Sequence, residues 1–168
     1  ITEYRKVMNV NVLGCINVLH CFMPYLKESN KSIKILNMGS LAGISGSPTF
    51  VDYSTSKYAI EGLTNALSKE MPNNIIMCVY DPGAVTTNML ADVFPDLSKD
   101  IAKKNNFIDS DKWGQLNYHF IVNKLNRKYH HGKHVFGVMA KESYITVNTD
   151  QEMELYLKSY NDPCQSKL

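Results

Sequence analysis

Apolar side chains recur at regular intervals in two stretches of the chain. In residues 2–27 they stand at spacings of three to five, at Val7, Val10, Leu13, Val18, Phe22 and Leu26. This spacing predicts a helix that is buried over much of its circumference. Residues 52–71 show helical periodicity through Tyr58, Leu63 and Leu67, which predicts a second helix.

Two short apolar runs alternate with these helices. Residues 32–38 lead into a loop rich in glycine and serine, and residues 75–80 are closed by Asp81, Pro82 and Gly83. Both runs predict buried strands. The order helix, strand, helix, strand favours an α/β fold with parallel strands and right-handed crossovers.

The pattern is weaker beyond Thr87. We expect a polar segment over residues 92–111, a helix over residues 111–126, a short strand over residues 134–138 and a charged tail. With 168 residues, 44% of them hydrophobic, the chain is long enough for one domain with a substantial core. We therefore predict a single domain over residues 1–168.

Charge and cysteine content argue against several classes of protein. Lys and Arg total 18 against 16 Asp and Glu, so a net charge of +2 gives no basis for a nucleic-acid or acidic-membrane partner. Four cysteines at irregular spacings fit reduced thiols better than a disulfide scaffold or a zinc site. No apolar stretch approaches the roughly 20 residues that span a bilayer, and residues 1–6 are not a signal peptide. We expect a cytoplasmic protein, unless a segment upstream of Ile1 carries targeting information.

Histidines and large apolar side chains in the second half of the chain have ordinary explanations. His130, His131 and His134 do not predict a metal site, because no acidic or cysteine ligand accompanies them and nothing fixes them on one helical face. Four side chains after Thr87 either line a substrate pocket or pack in the core, and both interpretations stay open for Met89, Phe94, Phe107 and Trp113.

The pattern Tyr-x-x-x-Lys occurs twice, as Tyr53/Lys57 and as Tyr129/Lys133. With ten tyrosines in the chain, about one such match arises by chance, so the pattern alone carries no weight. The second pair lies in a polar turn, whereas the first occupies the first turns of a helix that follows a strand and a loop. At positions i and i+4 the two side chains face the same way, and an ammonium that close favours the phenolate that a general acid/base needs. An ordinary surface pair on an amphipathic helix gives the same pattern.

Three further elements distinguish the first pair. Ser40 lies at the carboxyl end of a predicted strand, where ligands of such sheets bind, so its hydroxyl can hydrogen-bond a substrate oxygen. Pro82-Gly83 follows the next strand at the same edge, and Asn11-Val12-Leu13-Gly14 lies upstream. In order and approximate spacing, these elements and the Tyr/Lys pair resemble the short-chain dehydrogenase/reductase family from residue 1 to Met89.

The resemblance implies part of a Rossmann-type doubly wound parallel sheet. It also implies hydride transfer between NAD or NADP and a small alcohol or carbonyl substrate. Tyr53 would be the general acid/base, and Ser40 would orient the substrate oxygen. Lys57 would bind the nicotinamide ribose and tune Tyr53, and Asn11 would hold a water that links Lys57 to solvent as a proton relay.

The resemblance assigns the cofactor loop to residues 82–87. In this assignment Pro82 and Gly83 form the turn, and the backbone of Val85 and the hydroxyl of Thr87 contact the nicotinamide carboxamide. No metal site is implied.

The resemblance also implies self-association. Family members commonly pair the helices equivalent to residues 11–22 and residues 53–67 across a two-fold axis, and both helices are apolar over more than one face here. We therefore expect a homodimer or homotetramer.

The chain departs from the family pattern at several points. Gly39-Ser40 stands where the family usually has two serines, and the carboxyl-terminal third aligns loosely. The first strand, the Gly-x-x-x-Gly-x-Gly phosphate loop and the Asn-Asn-Ala-Gly element do not occur in the chain. We expect the catalytic half of a Rossmann-type fold, incomplete at its amino terminus, which binds no dinucleotide when expressed alone.

Two other classes of function stay open. The chain fits a catalytically silent binding or assembly subunit that keeps the site residues, and it fits a regulatory Rossmann-like domain that senses a nucleotide without turnover. The substrate, the direction of reaction and the choice between NAD and NADP are not determined, because the residue that reads the ribose lies outside this sequence.

Overall fold

The computed structural model of the protein describes residues 1–93 and 107–137. These residues form two compact units. The first unit consists of Ile1–Asp81 and Asn126–Val135, and the described residues of the second are 82–93, 107–125 and 136–137. The single domain expected over residues 1–168 stays a prediction.

A three-stranded sheet organises the first unit. Strand β1 covers Ile33–Met38, strand β2 covers Ile75–Asp81, and strand β5 covers His134–Phe136, in the spatial order β1-β2-β5. β1 and β2 pair in parallel, with Ile33 opposite Ile75 and Met38 opposite Tyr80. The parallel α/β arrangement predicted from the alternating elements is confirmed.

Helices connect these strands. The chain begins with helix α1 over Thr2–Met8, a π-helical turn over Asn9–Leu13 and helix α2 over Gly14–Glu28. Helix α3, Val51–Ser68, lies between β1 and β2 in the chain, as the periodicity predicts. The short helix α6, Arg127–His130, precedes β5.

The core of the first unit is formed by α2, α3 and the sheet. β2 is buried along its whole length, and its Ile75 and Met77 pack with Leu19 and Met71 in one hydrophobic cluster. Burying such side chains stabilises the fold by about 1.5–3 kcal/mol each. Leu19 is the one buried residue of the three helical segments from Thr2 to Glu28, so the expectation of a helix buried over much of its circumference is wrong.

The helical stretch Thr2–Glu28 is long and apolar enough, by length and composition, to cross a membrane. This differs from the expectation that no apolar stretch reaches such a length. Buried core helices and signal sequences pass the same test, so length and composition alone assign no membrane role to it.

The second unit contains smaller elements. Strands β3, Val85–Thr86, and β4, Ile108–Asp109, pair in parallel. Helix α4 covers Asn88–Val93, and helix α5 covers Ser110–Asn123. The sequence predicts α5 but neither two-residue strand, because such short strands show no alternation of apolar and polar positions.

Asp109 explains why α5 begins where it does. Its carboxylate accepts the backbone N–H groups of Asp111 and Lys112 at 3.0 and 2.9 Å, which caps the helix. Most of the expected polar segment, the end of the expected strand over residues 134–138 and the expected charged tail lie outside the described residues.

Candidate functional site

Tyr53 and Lys57 lie on one face of α3, near its amino terminus. The Lys57 ammonium stands over the Tyr53 ring, 5.4 Å from the ring centroid. Lys57 Nζ also donates a hydrogen bond of 2.9 Å to the carbonyl of Met38, the last residue of β1. The i, i+4 spacing thus brings the two side chains together, and Lys57 lies beside the carboxyl end of β1.

The electrostatic surroundings of Lys57 are mixed. The pKa of its ammonium lies below the ordinary value, because burial lowers it and the Asp81 carboxylate offsets only part of that lowering. Burial disfavours the charged form of a lysine, and neighbouring negative charges favour it. The position of Asp81 therefore bears directly on how firmly Lys57 holds its proton.

Ser40 lies in the loop that follows β1. Its Oγ accepts the backbone N–H of Ala42 at 3.2 Å, and its carbonyl accepts the N–H of Gly43 at 2.8 Å, which together begin a short 3-10 helix over Leu41–Gly43. The cap uses Oγ as an acceptor, and the hydroxyl hydrogen is a separate donor. The local fold therefore holds Ser40 half-buried in a fixed turn without consuming its donor in that turn.

Two glycines allow this loop to approach its neighbours closely. A Cβ on Gly39 would overlap the Val79 side chain. A Cβ on Gly43 would lie 3.0 Å from the backbone carbonyl of Lys57, closer than most real contacts. Packing therefore explains why this chain has glycine at position 39, where the family usually has the first of two serines.

Asn11 lies in the π-helical turn. Its Nδ2 donates to Ser56 Oγ at 3.0 Å, and Ser56 Oγ donates to the carbonyl of Tyr53 at 2.7 Å. Single π-helical turns occur frequently at functional sites. The structure thus ties Asn11 to the turn of α3 that carries Tyr53, and its role in holding a water stays a prediction.

The predicted cofactor loop lies in the second unit. Gly83 has φ of +70°, a left-handed conformation that glycine adopts without strain. The carbonyl of Pro82 accepts the indole N–H of Trp113 at 2.8 Å. Thr87 Oγ1 accepts the N–H of Leu90 at 3.3 Å and so caps α4.

Val85, the remaining residue assigned to that loop, begins β3 and is half-buried. Pocket lining and core packing were both open for Trp113, and its indole N–H binds the Pro82 carbonyl of the predicted cofactor loop. Phe94 lies outside the described residues.

His134 is the functional candidate that sequence reasoning missed. Its Nδ1 lies 2.6 Å from Glu61 Oε1, and its Nε2 lies 3.5 Å from Asp81 Oδ2. Burial lowers the pKa of His134, but hydrogen bonds and charges from Asp81 and Glu61 outweigh it and raise the pKa to about 9. The expectation that no acidic side chain accompanies this histidine is wrong, because the two carboxylates come from distant parts of the chain.

One weak sequence signal points to this cluster. Glu61 stands one helical turn after Lys57, so both face the same side of α3.

No group of histidine, cysteine and acidic side chains able to hold a metal ion occurs in residues 1–93 and 107–137.

The other two histidines support the fold. His131 Nδ1 accepts the backbone N–H of Met77 at 3.1 Å, and its Nε2 lies 2.8 Å from the carbonyl of Ser68. His130 Nδ1 lies 3.0 Å from backbone atoms of Asn126. Burial lowers the pKa of both imidazoles. Both therefore stabilise the segment that leads into β5.

A model of the short chain dehydrogenase family matches residues 1–98. An NADPH-dependent pterin aldehyde reductase of Arabidopsis thaliana is 37% identical over 92 residues, which are 55% of this chain and 38% of that protein. A 3-ketodihydrosphingosine reductase of Bacteroides thetaiotaomicron is 37% identical over 86 residues, which are 51% of this chain and 32% of that protein.

Solved structures show the same fold. A short chain dehydrogenase from Salmonella enterica serovar Typhi superposes with a TM-score of 0.66 and 25% identity, covering 79% of this chain and 52% of that one. The chain therefore spans about half the length of this structural relative, and the matched residues span about a third of the length of the two curated relatives.

Proposed function

The chain belongs to the short chain dehydrogenase family, and we propose that it is the catalytic part of an oxidoreductase that acts on an alcohol or ketone. The observation that carries this proposal is the Lys57 ammonium, which lies over the Tyr53 ring and binds the carbonyl that ends β1. The names of two relatives, an aldehyde reductase and a keto reductase, support a carbonyl substrate.

Tyr53 moves the proton in this proposal. In the reductive direction its hydroxyl donates a proton to the carbonyl oxygen, and in the oxidative direction its oxygen takes the proton from the alcohol. The Lys57 ammonium beside the ring stabilises the negative charge that the tyrosine oxygen carries between these states. General acid/base catalysis of this kind contributes about 10²–10⁴-fold to a rate.

Ser40 and Asn11 support the proton transfer. The turn at Ser40 presents a hydroxyl donor beside the carboxyl end of β1, and this donor orients the substrate oxygen. Asn11 fixes the first turns of α3 through Ser56 and takes part in the relay that returns a proton to Lys57.

We propose NAD or NADP as the cofactor, and each unit, taken by itself, carries groups suited to part of it. In the first unit, the Lys57 ammonium and the Tyr53 hydroxyl are donors suited to ribose hydroxyl groups. In the second unit, the Pro82-Gly83 turn, the Val85 backbone and the Thr87 hydroxyl are suited to the planar carboxamide. When bound, the dinucleotide supplies or accepts the hydride. The Arabidopsis thaliana relative is NADPH-dependent by name, which supports this cofactor class.

We also propose that the protein self-associates as a homodimer or homotetramer. Large apolar side chains are exposed on α2 and α3, and they include Val18, Phe22, Val51 and Tyr58. Exposed apolar surface of this kind favours association. Sedimentation of the full-length protein at micromolar concentration tests this, and a monomer there rules it out.

Transfer of deuterium tests the proposed reaction directly. The full-length protein is incubated with NADH or NADPH deuterated at nicotinamide C4 and with a panel of aldehydes and ketones. We expect mass spectrometry to find carbon-bound deuterium in the alcohol product with at least one of the dinucleotides. Binding of a dinucleotide without deuterium transfer to any member of the panel would contradict the proposal and favour a nucleotide-sensing domain.

A further inference from the structure

A row of charged side chains extends from Lys57 into the interior of the first unit. Lys57 Nζ binds the carbonyl of Met38, and Met38 lies opposite Tyr80 in the sheet. The ammonium therefore lies at the strand ends where Asp81 follows Tyr80 in β2. Asp81 in turn lies 3.5 Å from His134, and His134 lies 2.6 Å from Glu61. We propose that His134 is a positioning residue for Lys57, which acts by sharing the Asp81 carboxylate with the lysine ammonium.

The fold fixes both ends of this row on one helix. Lys57 and Glu61 are separated by one turn of α3, so their side chains leave the same face. The contact between Glu61 and Nδ1 holds the imidazole so that Nε2 is directed at Asp81. His134 therefore cannot turn away from Asp81 without losing its contact with the catalytic helix.

The glycine before Ser40 lies next to the contact between His134 and Glu61. A Cβ on Gly39 would stand 3.5 Å from His134 Cε1 and 3.6 Å from Glu61 Oε1, besides overlapping Val79. The backbone N–H of Gly39 donates to the carbonyl of Tyr80 at 2.9 Å, which fixes this stretch beside the end of β2. The row of charges thus lies directly beneath the loop that presents Ser40.

The charges in the row alternate in sign. Lys57 is positive, Asp81 negative, His134 positive when protonated, and Glu61 negative. Asp81 is 4% exposed and His134 8%, and buried charges persist when they are paired. If His134 were neutral, no positive charge beside Asp81 would weaken the attraction between the Asp81 carboxylate and the Lys57 ammonium.

The direction of the effect on Lys57 follows from these charges. The carboxylates of Asp81 and Glu61 raise the pKa of His134 to about 9 against the lowering effect of burial, so the imidazole is positive at neutral pH. Burial lowers the pKa of Lys57, and the Asp81 carboxylate offsets part of that lowering. The Cys15 thiol of α2 is neutral at neutral pH, because burial raises its pKa. A positive charge on His134 weakens the attraction between the Asp81 carboxylate and the Lys57 ammonium. The pKa of Lys57 is then lower, and the ammonium gives up its proton more readily. The inference rests on the catalytic role proposed for Lys57.

Titration of Lys57 itself tests the inference in the full-length protein. Its lysines are methylated with ¹³C, the Lys57 signal is assigned with Lys57→Arg, and its titration midpoint is followed by NMR. In His134→Gln we expect the midpoint to rise by about one pH unit, from Coulomb's law for a buried charge nearby. The matched control is His130→Gln, an equally buried histidine of the first unit that contacts Asn126 instead, and it should leave the midpoint unchanged.

A double variant separates action through Asp81 from direct repulsion. Asp81→Asn should lower the Lys57 midpoint, and adding His134→Gln to it should then produce less than half of the shift seen in the wild-type background. A full shift in the Asp81→Asn background would overturn the proposed route. An unchanged midpoint in folded His134→Gln would overturn the proposal altogether.

The wild-type protein offers a second measurement that needs no folded variant. The imidazole of His134 should titrate near pH 9, and the Lys57 signal should show an inflection at the same pH. A Lys57 signal without that inflection would contradict the coupling. These titrations do not depend on turnover, so a failure of the deuterium transfer would remove the proposed function and leave the coupling measurable by itself.

Discussion

The two Tyr-x-x-x-Lys segments share a sequence pattern and differ in almost every structural respect. Lys57 lies over the ring of Tyr53, on one long helix beside the end of β1. In the second segment, Lys128 and not Lys133 lies over the ring of Tyr129, at 4.9 Å. The carbonyl of Lys133 instead accepts the N–H of Val79 in the sheet. The Tyr-x-x-x-Lys spacing therefore forms a candidate site only where both residues lie on one helix next to the end of a strand.

The second segment still contributes to the first. Lys133 is followed by His134, which reaches Glu61 on the helix of the first pair. The backbone bonds of Gly132 to Met77 and of Lys133 to Val79 set this position against β2. The segment that gives the chance match is thus followed by the histidine that contacts Glu61, on the helix of Tyr53 and Lys57.

The largest expected difference between the two segments concerns turnover. In the full-length protein, Tyr53→Phe should lower kcat by about 10²–10⁴-fold while dinucleotide affinity changes little, because phenylalanine keeps the packing and loses the transferable proton. Tyr129→Phe is the matched control and should leave kcat within about twofold, since its ring is an exposed surface group. A Tyr53→Phe protein that keeps more than about a tenth of the wild-type kcat would show that Tyr53 is not the acid/base.

A second difference concerns how stability depends on pH. The folded state raises the pKa of His134 from 6.5 to about 9, so it holds that proton more firmly than the unfolded chain. The resulting stability is fully present below about pH 6.5 and is lost as pH rises through 9. The shift corresponds to about 3 kcal/mol as an order of magnitude. Urea denaturation of the full-length protein across this range measures it.

His134→Gln should remove that decline with rising pH. His130 affects stability in the opposite direction, because burial lowers its pKa. Its contribution to stability is present above the ordinary pKa of 6.5 and is lost as pH falls. His130→Gln should therefore keep the decline on the alkaline side. If both variants lost stability in parallel with the wild type from neutral pH to pH 9, the buried imidazolium would not be the cause.

The smallest expected effect concerns the loop packed against Lys57. Gly43→Ala places a Cβ 3.0 Å from the Lys57 backbone and should reduce the free energy of unfolding by about 1–3 kcal/mol. Gly62 lies on α3, the helix of Lys57, and a Cβ there meets nothing within 4 Å. Gly62→Ala should therefore raise the free energy of unfolding by roughly 0.5–1 kcal/mol. Denaturant midpoints of the two variants compare them, and a stabilising Gly43→Ala would mean that the loop is free to move away from Lys57.

Much of the first unit was predictable from local patterns. The strand expected over residues 75–80 is observed over Ile75–Asp81, and the helix expected over residues 52–71 is observed over Val51–Ser68. Apolar runs and helical periodicity report burial along a single element, so they survive folding. The periodicity of residues 2–27 gave the helix but overstated its burial, because apolar periodicity indicates a face that can be buried and not what covers it.

The sequence by itself determined strands β1 and β2 and the helix that carries Tyr53 and Lys57. It also determined that these two side chains share a face, because i, i+4 geometry is a property of one helix. Only the tertiary structure decided that His134 meets Glu61 across 73 positions of the chain, that Asp81 lies 3.5 Å from His134, and that a Cβ on Gly39 would overlap Val79. These contacts depend on which strand ends lie together. A one-dimensional pattern does not encode that proximity, and burial then makes the charges that meet there strong.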